Sequence, residues 1–187
     1  MDKAALRSEM RARRRALGPD ALARAEAEAA AHLLGSALWR SARAVALHAA
    51  VRGELPTGAV IAAALAAGKR VALPSAGPGG MVLRWLASAA DLAPDARGIP
   101  CPPADAAVAD PSSLDLVLAP GLAFDAAGAR LGQGGGDYDR LLAALPPGAA
   151  TVGWCHGFQV VASVPTEPHD RPVGWLATPS GLRRATG

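Results

Sequence analysis

Aromatic residues supply only 4% of this 187-residue chain: two Phe, one Tyr and four Trp. Apolar residues still make up 51%, so the core must rest on Leu, Val and Ala rather than on large rings. Lysine is almost missing. Lys3 and Lys69 are the only two, and Arg carries the rest of the positive charge. Cysteine is scarce as well. Cys101 and Cys155 cannot build a disulfide framework or, alone, a structural zinc site, and we read them as reduced thiols of a cytoplasmic protein. No apolar run reaches the roughly 18 residues of a membrane span, which argues against a membrane partner. The start, MDKAALRSEMRARRRAL, has no apolar stretch behind its charges, so no secretory signal is expected. Only 19% of residues are charged and apolar segments recur throughout, which excludes a disordered chain. The net charge of +3 does not demand a nucleic-acid partner. His32, His48, His156 and His169 show no metal-ligand spacing, and no Gly-x-Ser-x-Gly elbow supports a hydrolase triad.

What is present points to one α/β domain over residues 1–187. Helices are expected from Lys3 to about Leu17 and from Asp20, as the capping residue, to Leu34, where Gly35 stops the second. A strand over Ala44–Leu47, a helix over Thr57–Ala67 ended by Gly68, and strands over Val71–Leu73 and Met81–Leu86 follow. Residues 88–113 read as a long surface connection. Leu114–Ala119 is a continuous apolar run, as in a strand covered on both faces. A helix from Tyr138 to Leu145 and strands over Thr151–Cys155 and Val173–Thr178 complete the domain, and a disordered tail is expected after Pro179. Alternating strands and helices imply a largely parallel sheet.

The segment with most chemistry is Pro120–Arg140, PGLAFDAAGARLGQGGGDYDR, between the apolar strand and a helix. Gly132, Gly134, Gly135 and Gly136 leave backbone amides uncovered, so successive N–H groups can turn toward one anion. Arg130 adds a guanidinium suited to phosphate. No Gly-Lys-Ser/Thr follows, so this is not a Walker A loop, and the glycines are too close together for a dinucleotide fingerprint. A plain turn needing positive φ is the alternative. Asp139, just past the loop, and Asp170, in Val164–Pro172, are the carboxylates that a Mg²⁺–phosphate complex would use, although helix capping and turn ordering also suit them. Glu54, after the first strand, is a candidate contact to substrate. Lys3, Arg7, Arg11 and Arg14 share one helix face. That face is solvated, binds RNA, or reaches over to the phosphate site.

Together these segments resemble the 5-formyltetrahydrofolate cyclo-ligase family. The carriers are PGLAFD…G-x-RLGQGGGDYDR, the Lys3-Ala-Ala-Leu-Arg7 start, Gly-Glu54-x-x-Thr, Gly68-Lys-Arg-Val-Ala-Leu-Pro74 and Pro-His-Asp170, in that family's order. The resemblance implies a three-layer α/β domain similar to phosphosugar isomerases and CoA transferases. It also implies ATP-dependent closure of 5-formyltetrahydrofolate to 5,10-methenyltetrahydrofolate, with small molecules as the partners; a monomer is our expectation. Lys3, Arg7, Arg130, Leu131, Gly132, Gln133, Gly134, Gly135, Gly136, Asp137 and Tyr138 would contact ATP. Glu54 would hold the folate, Asp139 and Asp170 would serve Mg²⁺, and Arg130 and Asp139 would act at the reacting groups. Asp137, Gln133 and His48 depart from the family, which commonly has an aromatic residue, a Tyr or Arg, and an aromatic ring there. A family member with altered or lost activity and an RNA-binding module are the competing readings.

Overall fold

A computed structural model describes residues 2–77 and 79–187. α1 (Lys3–Arg15) opens with the Asp2 carboxylate accepting the Ala5 N–H. α2 (Pro19–Leu34) begins with Pro19 in its first turn, and the capping position is Gly18. Asp20 therefore lies in the first turn and is not the cap; Pro at the first helical position sets the start instead. A short helix, α3 (Ala37–Ser41), was not legible in the apolar pattern. It starts where the Ser36 hydroxyl accepts the Trp39 N–H. α4 (Gly58–Ala66) and α5 (Asp137–Ala143) complete the helices.

The strands of the main sheet are β1 (Ala44–Ala46), β2 (Arg70–Gly77), β3 (Gly80–Leu86), β4 (Leu116–Ala119), β5 (Ala150–Trp154), β6 (Trp175–Thr178) and β7 (Gly181–Arg184). They form one seven-stranded sheet in the order β7-β6-β5-β4-β1-β2-β3. The inner strands run parallel, while β3 and β7 close the edges as antiparallel partners of β2 and β6. The expected disordered tail is thus an edge strand. Pro179–Ser180 turns the chain back so that Leu182 pairs with Ala177 and Arg184 with Trp175. The expected loop over 88–113 also carries structure. Ala93–Pro94 pairs with Pro100–Cys101, and the Trp85 and Ala109 N–H groups donate to the Ala107 and Leu83 carbonyls along the β3 edge. Those bonds satisfy backbone groups that an open edge would leave unpaired.

Side-chain alternation on β1 separates the two halves of the core. Val45 and Leu47 face α2 and α4 with Leu33, Val60 and Ile61, while Ala44 and Ala46 face the side covered by Leu141 of α5. Helices therefore cover both faces of a parallel sheet, in three layers. Phe124, fully buried, lies against two glycines: a Cβ at Gly121 or Gly153 would come within 2.6 Å of its ring. Neither cysteine is bridged, and burial pushes the Cys155 thiol up to about 12. No helix among the described residues is long and apolar enough to cross a membrane.

Candidate active site

β1 and β4 are neighbours, yet the chain leaves them toward opposite sides of the sheet: β1 is followed by β2, and β4 by β5. A parallel sheet opens a crevice at such a point, beyond the carboxyl ends of the two strands. The β1 end continues into His48–Thr57 and the β4 end into Pro120–Gly136. Between these segments lies a cavity of about 1490 Å³. Lys3, Arg7, Glu54, Arg130, Leu131, Gly132, Gln133, Gly134, Gly135, Gly136, Asp137, Tyr138, Asp139 and Asp170 all border it. The fold brings the residues expected to contact ATP, folate and Mg²⁺ around one cavity.

The glycines have different reasons to be glycine. Gly134 (φ 111°) and Gly136 (φ 70°) hold backbone conformations that disfavour side chains, so the turn reading is correct for them. Gly132 and Gly135 do not have positive φ. A Cβ at Gly132 would lie 2.9 Å from the Arg130 guanidinium, so glycine there keeps the path to Arg130 open. Leu131 has its side chain in the core with Leu6 and Met10, which leaves only its backbone for a ligand. The Asp137 carboxylate accepts from Arg140 (2.6 Å), and the Met81 N–H of the β2–β3 hairpin lies 3.4 Å from the same oxygen.

α1 turns its basic face inward. Lys3 Nζ donates to Asp170 (2.9 Å) and Glu167 (3.0 Å), Arg7 Nε to the Gly132 carbonyl (3.0 Å), and Arg11 to Gln133 (2.7 Å). The hydrogen bond to Asp170 lifts the Lys3 ammonium above its ordinary value. Burial disfavours the Asp170 carboxylate, but Lys3 and the Glu167 N–H hold it below the usual range. Three positions of the basic face thus contact the glycine loop and the Asp170 turn; Lys3 and Arg7 are half-buried there, while Arg11 stays exposed and keeps a solvated character.

Arg130 and Asp139 form a pair at 2.8 Å, with their side chains only 4% and 16% exposed. The Arg130 guanidinium lies 5.7 Å from the Tyr138 ring centre. Burial raises the Tyr138 phenol, which keeps it protonated. The same Asp139 oxygen accepts the Arg171 N–H (3.1 Å), 32 positions away in sequence. Asp170 and Asp139 therefore sit on adjoining segments, which sequence spacing could not reveal.

Glu54 is held in a tight turn. Arg52 (φ 52°) and Gly53 (φ 72°) both have left-handed backbone, and a Cβ at Gly53 would meet the Arg14 carbonyl oxygen at 2.6 Å. The Thr57 hydroxyl donates to the His48 carbonyl, the Trp154 indole N–H donates to the Leu55 and Pro56 carbonyls, and His156 Nε2 lies 3.2 Å from the Gly53 carbonyl. Glu54 accepts the Val51 N–H (3.1 Å) and pairs with Arg14 at 3.2 Å. Arg14 and His48 border the cavity too, and neither was proposed as a site residue. Arg14 belonged to the periodic basic face and could have been found by following it one turn further. His48 carried no local signal beyond its departure from an aromatic residue.

Comparison with known proteins agrees with this geometry. Residues 1–179 match the 5-formyltetrahydrofolate cyclo-ligase family. The 5-formyltetrahydrofolate cyclo-ligase of Escherichia coli K12 is 35% identical over 176 residues, covering 91% of this chain and 97% of that protein. The enzyme of the same name from Mycolicibacterium smegmatis is 32% identical over 183 residues, covering 95% of this chain and 93% of its own. The solved structure of 5,10-methenyltetrahydrofolate synthetase from Aquifex aeolicus superposes with a TM-score of 0.88 at 30% identity, covering 100% of this chain and 94% of that one. That of the Mycoplasma pneumoniae synthetase covers 96% of this chain and 99% of its own, with a TM-score of 0.79 at 19% identity, and supports the fold alone. A match over nearly the whole length, with the sequence motifs gathered around one cavity, establishes that the chain belongs to the 5-formyltetrahydrofolate cyclo-ligase family.

Proposed function

We propose that this chain closes 5-formyltetrahydrofolate to 5,10-methenyltetrahydrofolate at the expense of ATP, releasing ADP and phosphate. The observation that carries this reading is the shared cavity. One wall is the glycine loop with Arg130, suited to a polyphosphate, and another offers the Glu54 carboxylate, suited to N–H donors of a pteridine ring. The RNA-binding alternative rested on the Lys3–Arg14 face, and that face is turned onto the protein.

The chemistry needs alignment more than a nucleophile. A formyl group on N5 is an amide, so its carbon is a poor electrophile and its oxygen a poor leaving group. Transfer of the γ-phosphoryl group to that oxygen creates a phosphorylated iminium. N10 then attacks the formyl carbon, the ring closes and phosphate departs. Arg130 and the loop N–H groups oppose the negative charge of the transferring group, and α1 fixes the loop through Arg7. Mg²⁺ fits the residues present. Asp139 and Asp170 each keep one oxygen free of hydrogen bonds among the described residues. No group of three or more metal-ligating side chains gathers among the described residues, as suits an ion that completes its shell with phosphate and water. When bound there, Mg²⁺ supplies charge neutralisation at the phosphates.

The direct test is the absorbance of the methenyl product formed from 5-formyltetrahydrofolate and Mg-ATP. Product formation that requires ATP supports the reading, and its absence with folded protein overturns it. Two substitutions separate the walls. Glu54→Gln preserves the shape beside Arg14 but removes the anionic acceptor. It should weaken folate binding by about 1–3 kcal/mol and leave ATP binding intact, as read by calorimetry. Lys3→Ala and Arg7→Ala each remove a charge-assisted donor worth about 1.5–3 kcal/mol. Each should raise the KM for ATP with little change in urea midpoint, and unchanged ATP kinetics would return α1 to a structural role.

A further inference from the structure

The wall around Glu54 has hydrogen-bonding capacity that the protein does not use. Arg14 is 3% exposed and spends Nε and Nη2 on the Arg52 and Val51 carbonyls and on Glu54, while Nη1 has no partner among the described residues. His48 is 4% exposed. Its Nδ1 lies 3.4 Å from the Leu118 carbonyl, and its Nε2 has no partner among the described residues. Both residues border the cavity. A buried donor or acceptor left unmade is costly, so two together on the wall of one cavity point to a ligand.

The chemistry of that ligand follows from the donor and acceptor order. A carbonyl can only accept, so His48 Nδ1 carries the proton, and burial holds the imidazole below its ordinary value and therefore neutral. Nε2 is then a bare acceptor. Arg14 Nη1 is a fixed donor beside the Glu54 carboxylate, because Nη2 of the same guanidinium contacts Oε1. Each carboxylate oxygen has a second lone pair available. The edge therefore offers a donor next to an anionic acceptor, with another acceptor nearby. Its complement is a ring lactam, C=O beside N–H, flanked by an amine. On α1, Arg14 lies seven residues beyond Arg7, about 10 Å from the loop clamp.

We propose that Arg14 and His48 are specificity-determining residues that, with Glu54, read the lactam edge of the pteridine. Arg14 Nη1 donates to the C4 carbonyl, Glu54 accepts from N3–H, and His48 Nε2 accepts a further N–H of the same ring. This rests on the cyclo-ligase reading above and adds how the site tells one pteridine from another.

The test compares 5-formyltetrahydrofolate with its 4-amino-4-deoxy analogue, in which a donor replaces the carbonyl and N3 loses its hydrogen. Calorimetry on the wild-type protein should show the 4-oxo ligand favoured by more than about tenfold. Arg14→Met should reduce that ratio by about tenfold, whereas His48→Phe should weaken both ligands alike by about tenfold. Loosening of the Glu54 turn alone would lower both affinities in Arg14→Met and leave the ratio intact, which would overturn the proposal. Equal wild-type affinities would overturn it without any substitution. A rise in the KM for ATP in Arg14→Met, with the ratio unchanged, would assign the edge to adenine instead. If the wild-type protein forms no methenyl product at all, the cyclo-ligase reading itself has failed, which is a different result from a missing 4-oxo preference.

Discussion

Replacing Arg130 by methionine is expected to lower kcat by about 10²–10³-fold, the usual loss when one preorganised donor to a developing charge is removed. The guanidinium is fixed before any ligand arrives. It projects from a two-residue strand that pairs with Ala123–Phe124, its side chain is 4% exposed, and Asp139 holds Nη2 at 2.8 Å. Its Nε has no partner among the described residues. Because the guanidinium opposes charge that builds on the transferring phosphoryl group, its loss should fall mainly on kcat, with a smaller rise in the KM for ATP from the lost polyphosphate contact. The substitution should also destabilise the fold, since it leaves the Asp139 carboxylate without its cation. Breaking a fully buried pair from one side costs about 3–5 kcal/mol; Asp139 is half-buried and keeps the Arg171 N–H, so the cost here should fall below that range. Arg130→Lys keeps the charge but loses the planar fork, so it should recover stability better than kcat. Initial rates of methenyl formation and urea midpoints check both effects. A folded Arg130→Met enzyme within about threefold of wild-type kcat would remove Arg130 from the catalytic machinery, against the loss expected for a catalytic donor.

The second large effect concerns Asp139 and Asp170 as a unit. Asp139→Asn and Asp170→Asn should each raise the Mg²⁺ requirement by about 10–100-fold. The double variant should be little worse than the more damaged single one, because residues acting together lose most of their effect with the first change. The structure gives this expectation a contact. The Arg171 N–H, next in sequence to Asp170, donates to the Asp139 carboxylate. Asp170→Asn also loosens the pairing with Lys3, so its KM for ATP should rise along with its Mg²⁺ requirement. Losses that multiply independently, at an unchanged Mg²⁺ requirement, would show that the two carboxylates do not share an ion.

The chain's local chemistry was readable in advance where one segment carries it whole. The clustered glycines, Arg130 and Asp139 lie within one strand–loop–helix unit, so composition and order reveal them together. The basic face of α1 was visible as a period, but its direction was not. The tertiary contacts of Lys3 with Asp170, Arg7 with Gly132 and Arg14 with Glu54 are what show that it faces the protein. The edge strand β7 was missed because Leu182-Arg183-Arg184 is short and polar, and it becomes a strand only by pairing with β6. The structure in residues 88–113 was hidden because its only strand pairing is two residues long, Ala93–Pro94 with Pro100–Cys101, and its remaining ladder bonds go to the edge of β3.

The sequence by itself determined the apolar strands, the helix stops at Gly35 and Gly68, the glycine loop and the set of groups that suit a phosphate. Each depends on backbone conformation or residue chemistry within a few positions. Tertiary structure alone decided that Val45 pairs beside Leu116, and hence that the turn after β1 opens beside the loop after β4. That pairing sets Glu54, Arg14 and His48 around the same cavity as Arg130. The physical reason is that parallel strands are joined through crossovers. Their order in the sheet follows from packing helices on both faces and leaves little local trace in the sequence.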